Sequence, residues 1–127
     1  MTKARTNILL VDDDQQARLK IARALESHGH TVTAVDGGRV ALARLAEEAF
    51  DLILLDILMP EVDGFEVLRT IKSDSQLVDI PVIVVSALDD EKSEENSKKL
   101  GARAYLTKPI IAEDLNARVN ECLNLRI

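Results

Sequence analysis

Five short aliphatic runs, separated by longer stretches of helical period, constrain this chain more than any other feature. The runs are Asn7 to Val11, Thr31 to Val35, Leu52 to Leu55, Pro81 to Val85 and Ala102 to Leu106. Such alternation builds βαβ units, in which a crossover helix brings the chain back so that the next strand pairs in parallel. Ile53-Leu54-Leu55 and Val82-Ile83-Val84-Val85 are apolar at successive positions, as central strands covered on both faces require. Thr31-Val32-Thr33 alternates and reads as an edge strand.

Between the runs, apolar residues recur at helical spacing: Ala17, Ile21, Ala24 and Leu25; Ala41, Leu45 and Ala49; Phe65, Leu68 and Ile71; Leu115, Val119, Cys122 and Leu123. Each stripe is expected to face the sheet. Asp63 followed by Glu66 has the form of a capping box, and Asp14 is placed to cap the first helix. His28 and His30 flank Gly29 where a helix should end, which reads as a surface C-cap. The segment from Asp89 to Lys99 contains no apolar residue, so it is expected to be a solvated helix with almost nothing to bury, steadied by Glu94 with Lys98 and Glu95 with Lys99.

A chain of 127 residues suits one compact domain, taken as residues 1–127. Apolar residues at 46% and charged residues at 30% fit a globular, soluble protein, and the scarcity of aromatics makes the core aliphatic. A net charge of -6 without clustered Lys and Arg argues against direct nucleic-acid binding. The apolar run Ile8 to Val11 is too short for a signal peptide or membrane span, so no membrane association and a cytoplasmic location are expected. The lone Cys122 reads as a core thiol.

In open parallel sheets, ligands bind beyond the carboxyl ends of the strands. That rim collects Asp12, Asp13 and Asp14 after the first run, Asp56 after the third, Ser86 after the fourth and Lys108-Pro109 after the fifth. Asp12 or Asp14 alone would read as a helix cap. Converging carboxylates, however, repel unless a cation sits among them, and an oxygen-only set suits Mg2+, which keeps waters and takes substrate phosphates. The chemistry indicated is phosphoryl transfer, with Asp56 as nucleophile and Lys108 and Ser86 balancing charge on the transferred group.

These residues resemble the receiver domains of two-component response regulators, over essentially the whole chain. The resemblance rests on Ile8-Leu9-Leu10-Val11-Asp12-Asp13, on Asp56-Ile57-Leu58-Met59-Pro60 with Asp63-Gly64, on Ser86-Ala87, on Gly101-Ala102 and on Tyr105-Leu106-Thr107-Lys108-Pro109. It implies a flavodoxin-like (βα)5 doubly wound parallel sheet of strand order 2-1-3-4-5. It further implies that Asp56 accepts a phosphoryl group from a phosphohistidine of a sensor histidine kinase or phosphotransfer protein. Asp13 and Asp56 would then ligate Mg2+ directly, Asp12 would act through water, and the Leu58 carbonyl would complete the protein ligands. Ser86 and Tyr105 would form a switch pair, Lys108 would pair with a phosphoryl oxygen, and the Lys108-Pro109 bond would be cis. A downstream protein or a fused output domain would read the change, and a homodimer could form through the fourth helix, fifth strand and fifth helix.

In this family the residues two positions beyond the acceptor and beyond the switch serine tune phosphoryl lifetime. Here they are Leu58 and Leu88, which cannot orient an attacking water, so slow self-dephosphorylation is expected. Two other functions are weighed beside the phosphoacceptor switch. One is a pseudo-receiver, a non-phosphorylated interaction module. The other is a turnover phosphatase with an aspartyl-phosphate intermediate, which needs a second Asp where this chain has Leu58. The expectation is a regulatory domain that assists its own phosphorylation and dephosphorylation rather than a turnover enzyme.

Overall fold

The computed structural model describes residues 6–59, 63–87 and 90–124. The elements follow in strict alternation: β1 (Asn7–Val11), α1 (Gln15–Glu26), β2 (Thr31–Val35), α2 (Gly38–Glu47), β3 (Leu52–Leu55), α3 (Gly64–Ser73), β4 (Val82–Ser86), α4 (Glu91–Lys99), β5 (Ala104–Thr107) and α5 (Ala112–Asn124). The strands form one parallel sheet of order β2-β1-β3-β4-β5, the flavodoxin-like order, with β2 at an edge as its alternating pattern required.

Each central strand sends successive side chains to opposite faces, and both faces are dry. Leu9, Val11, Ile53, Leu55, Val82 and Val84 pack with Ala41 and Leu45 of α2 and Val67, Leu68 and Ile71 of α3. Ile8, Leu10, Leu52, Leu54, Ile83 and Val85 pack with Ile21 and Leu25 of α1 and Leu115, Val119 and Cys122 of α5. The uninterrupted apolar runs are therefore two half-cores interleaved in one strand. Among the described residues, no helix is long and apolar enough to cross a membrane.

Several sequence-based boundaries move. β4 begins at Val82 because Pro81 has no N–H to donate, although its carbonyl still accepts from Ile53 N at 3.0 Å. β5 begins at Ala104 rather than Ala102. Gly101 lies at φ 109 and the Ala102 N–H returns to the Ser97 carbonyl at 2.9 Å, so these residues close α4 instead of extending the strand. Ala49 falls beyond the end of α2 and is exposed, and Phe50 fills the core there.

The caps follow their side-chain chemistry. Asp14 accepts from Gln16 N at 3.1 Å, and Asp63 accepts from Glu66 N at 2.9 Å. The return arm of the expected capping box is not made, since Glu66 pairs with Arg69 at 2.9 Å instead. α4 does bury something: Ser93 and Ser97 face inward, and Ser97 Oγ donates to the Ser93 carbonyl at 2.9 Å. Of its two expected ion pairs, Glu94 with Lys98 closes at 3.2 Å, and Glu95 with Lys99 does not close among the described residues.

Gly64 is the one glycine whose missing Cβ positions the site. A Cβ there would run into Ile57 Cα and the Asp56 carbonyl oxygen. Its N–H reaches the Ile57 carbonyl at 3.1 Å, locking the start of α3 against the end of β3.

Candidate functional site

Parallel register brings the first and third strands out at the same height. Val11 is level with Leu55, and the Asp56 N–H bonds the Val11 carbonyl at 2.9 Å, so Asp12 and Asp56 emerge side by side. Asp12 is fully buried and Asp56 is 4% exposed. Asp13, next along the loop, is exposed, yet one oxygen from each of Asp12, Asp13 and Asp56 lies within 4.8 Å of the others. Asp14, the remaining member of the acidic run, is spent on the helix cap.

Lys108 supplies the opposing charge. Its Nζ sits 2.8 Å from Asp12 Oδ2, an ion-pair contact, and donates a directed hydrogen bond to Asp56 Oδ2 at 3.1 Å. The backbone holds it there, because the Lys108 N–H bonds the Ser86 carbonyl at 2.7 Å and the following peptide to Pro109 is cis. The other carboxylate oxygens are met by main-chain donors at the turns, Asp14 N on Asp12 Oδ1 and Leu58 N on Asp56 Oδ1, both at 2.9 Å.

The electrostatics follow from that geometry. Burial raises the Asp56 pKa above its ordinary 3.8; the Leu58 N–H and the Lys108 charge pull it down, the Asp12 charge pushes it up, and the net shift is upward. For Lys108, burial is the largest single influence and acts to lower the pKa. The hydrogen bonds and charges of Asp12 and Asp56 together outweigh it, so the ammonium is held above its ordinary 10.5. Three carboxylates facing one ammonium leave an excess of two negative charges at the rim.

The other residues singled out from the sequence lie around this cluster in different ways. Ser86 is fully buried at the end of β4, joined to Lys108 through its carbonyl. Tyr105 is half-buried in β5, level with Val84 and packed on the core that contains Leu55 and Ile57. The Leu58 side chain is 47% exposed beside the carboxylates while its N–H serves Asp56. Pro60 and Leu88 lie outside the described residues. Sequence reading passed over Arg18, whose Nη1 donates to the Asp12 carbonyl at 2.8 Å. Its spacing four residues after Asp14 gave no sign of that bond, which depends on where the loop before α1 runs.

A sequence model of the response regulator receiver domain matches residues 8–120. The chain belongs to this family. PilH of Pseudomonas aeruginosa is 39% identical to it over 116 residues, which cover 91% of this chain and 96% of PilH. The response regulator MprA of Mycolicibacterium vanbaalenii is 37% identical, and there the aligned region is 91% of this receiver domain but 49% of MprA, so the chain spans about half of that relative. Among solved structures, the chemotaxis protein CheY4 of Vibrio cholerae superposes with a TM-score of 0.89 at 29% identity, covering 94% of this chain and 100% of CheY4. A receiver is a regulatory domain, and the acidic rim of this one offers an all-oxygen donor set of the kind that suits a hard divalent cation.

Proposed function

We propose that this receiver domain is the phosphoacceptor switch of a two-component phosphorelay, with Asp56 the residue that carries the phosphoryl group. The observation that bears this reading is the single focus of the site: Asp56 is within 3.1 Å of Lys108 and clusters with Asp12 and Asp13. In the transfer, an Asp56 carboxylate oxygen attacks phosphorus on a partner phosphohistidine. The O–P bond forms, the N–P bond breaks, and the departing imidazole nitrogen keeps the electron pair and is protonated.

Following the family resemblance, Asp13, Asp56 and the Leu58 carbonyl would hold Mg2+ directly, and Asp12 through water; the clustering of one oxygen from each of the three aspartates within 4.8 Å supports that set. The bound cation supplies charge neutralisation for the equatorial phosphoryl oxygens. Lys108 exchanges part of its pairing with Asp56 for a phosphoryl oxygen, and Ser86 offers its hydroxyl to another. Tyr105 turns inward as Ser86 moves, altering the face of α4, β5 and α5 that an output partner, a fused output domain or a second copy would read. A groove of about 490 Å³ lined by Asp14, Ala17, Ile21, Lys108, Pro109 and Ile110 opens beside the site and gives a sensor histidine kinase or phosphotransfer protein its approach. The unit acts as one receiver in the cytoplasm, without direct nucleic-acid or membrane contact.

Leu58 and Leu88 cannot orient a hydrolytic water, so the aspartyl phosphate is long-lived. Intact mass after incubation with an acyl-phosphate donor and Mg2+ tests the proposal. A gain of one phosphoryl group that persists well beyond seconds, and is lost in Asp56→Asn, is the expected result. No gain would make the chain a pseudo-receiver, and multiple turnover of the donor would make it a phosphatase.

A further inference from the structure

The three acidic residues of the rim are not held alike. Asp12 is buried and anchored by Asp14 N and Lys108, and Asp56 is buried and anchored by Leu58 N and Lys108. Asp13 is exposed, and its carboxylate accepts no hydrogen bond among the described residues. Its place in the cluster therefore depends on the backbone that carries it. Among the described residues, one side chain from α1 tethers that backbone: Arg18, half-buried, donates from Nη1 to the carbonyl of Asp12, the oxygen of the peptide that links Asp12 to Asp13.

Arg18 is unlike the other helix-borne arginines with side-chain bonds. Arg44, Arg69 and Arg118 each meet a glutamate three or four positions away on or beside their own helix, where both partners are exposed and contribute little. Among the described residues, Arg18 meets no carboxylate within ion-pair distance. Its planar fork is turned to a main-chain oxygen, and a charged donor on a neutral acceptor makes a strong, directional bond. With that oxygen held, the Asp12-Asp13 peptide plane cannot rotate freely, and Asp13 Cβ keeps its direction towards Asp12 and Asp56.

We propose that Arg18 is a positioning residue for cation binding, fixing the peptide that aims the otherwise untethered Asp13 carboxylate into the acidic cluster. This rests on the phosphoacceptor reading only in needing a cation at the rim. Groups that orient metal ligands from behind commonly govern affinity without touching the metal.

The test is an Mg2+ titration of the full chain by calorimetry, with the backbone amide NMR signals of Asp13 and Asp14 followed in parallel. Arg18→Met keeps the aliphatic stem and removes the donors, Arg18→Lys restores one donor, and Arg23→Met alters an exposed arginine on the same helix. Arg18→Met is expected to weaken Mg2+ binding by roughly 10- to 100-fold. Its Asp13 amide should shift already in EDTA, its circular dichroism spectrum should match that of the wild type, and Arg18→Lys should recover most of the affinity. Wild-type affinity in Arg18→Met, or equal weakening in Arg23→Met, overturns the inference while leaving the phosphoacceptor reading intact. If Arg18→Met does not fold, Arg18→Ala takes its place: wild-type affinity with an unshifted Asp13 amide in that variant refutes the tether. A wild-type chain that binds no Mg2+ would sink both.

Discussion

Replacing Asp56 by Asn should make the metal-free protein more stable. With an effective dielectric of about 20, the Asp12 carboxylate at 4.8 Å or less repels Asp56 by at least about 3.5 kcal/mol. The exposed Asp13 is screened by water and adds only about 1 kcal/mol. Lys108 at 3.1 Å returns about 5 kcal/mol. These charge terms cancel to within about 1 kcal/mol on the same scale, and the Leu58 N–H keeps an acceptor in the amide. What remains is the desolvation of a carboxylate only 4% exposed, a cost of several kcal/mol that Asn largely removes. We expect Asp56→Asn to gain about 1 to 3 kcal/mol, or about 3 to 15 °C in melting temperature, with Lys108 still paired to Asp12.

The pH dependence gives that prediction a second edge. The Asp56 pKa is raised in the folded state, so the folded protein binds this proton more tightly than the unfolded chain does. Its unfavourable contribution is absent below the ordinary value of 3.8, develops as pH rises from there through the higher folded value, and is constant above it. Urea unfolding in EDTA, followed by circular dichroism, should show the variant's advantage at pH 7 shrinking towards zero in acid. A variant no more stable than wild type at pH 7, or an advantage independent of pH, would refute the reasoning.

Two further perturbations bear on the frame of the site. Lys108→Met removes the only cation that the described residues pair with the Asp12 and Asp56 carboxylates and should cost about 3 to 5 kcal/mol in EDTA, read from the same urea curves. Because the Lys108 pKa is raised, its contribution is complete below pH 10.5 and disappears as pH climbs through the higher folded value, so the wild-type advantage should narrow only in strong alkali. Gly64→Ala forces a methyl against backbone that cannot step aside and should lose about 1 to 3 kcal/mol, with the NMR signals of Asp56 and Ile57 displaced. Unchanged stability and spectra would mean that α3 can retreat from β3 at no cost.

The strands were the most readable part of the chain, because a strand dry on both faces must be apolar at every position. β1, β2 and β3 came out as read, while β4 and β5 start later, where a proline and a glycine turn decide which residue joins the ladder, and each ends one residue later, at Ser86 and Thr107. α4 was read as having nothing to bury, yet it turns Ser93 and Ser97 inward. Hydropathy is blind to such a face, since a small hydroxyl can satisfy itself on its own helix. Half of the capping box failed for a similar reason: Glu66 had a choice between the Asp63 N–H and Arg69, and sequence spacing does not rank them.

The acidic residues, the lysine and the strand ends that carry them were settled by sequence, because residue type and position along a βα unit are local properties. That Asp12 is buried and anchored while Asp13 reaches the same cluster from an exposed position was settled only by the fold. So was the reach of Arg18 to a loop carbonyl and the division of Lys108 between two carboxylates. These depend on parallel register and on the path of the β1–α1 and β5–α5 loops, which bring together atoms far apart along the chain. At such distances an ångström of displacement separates a bond from empty space, and no local pattern in the sequence carries that information.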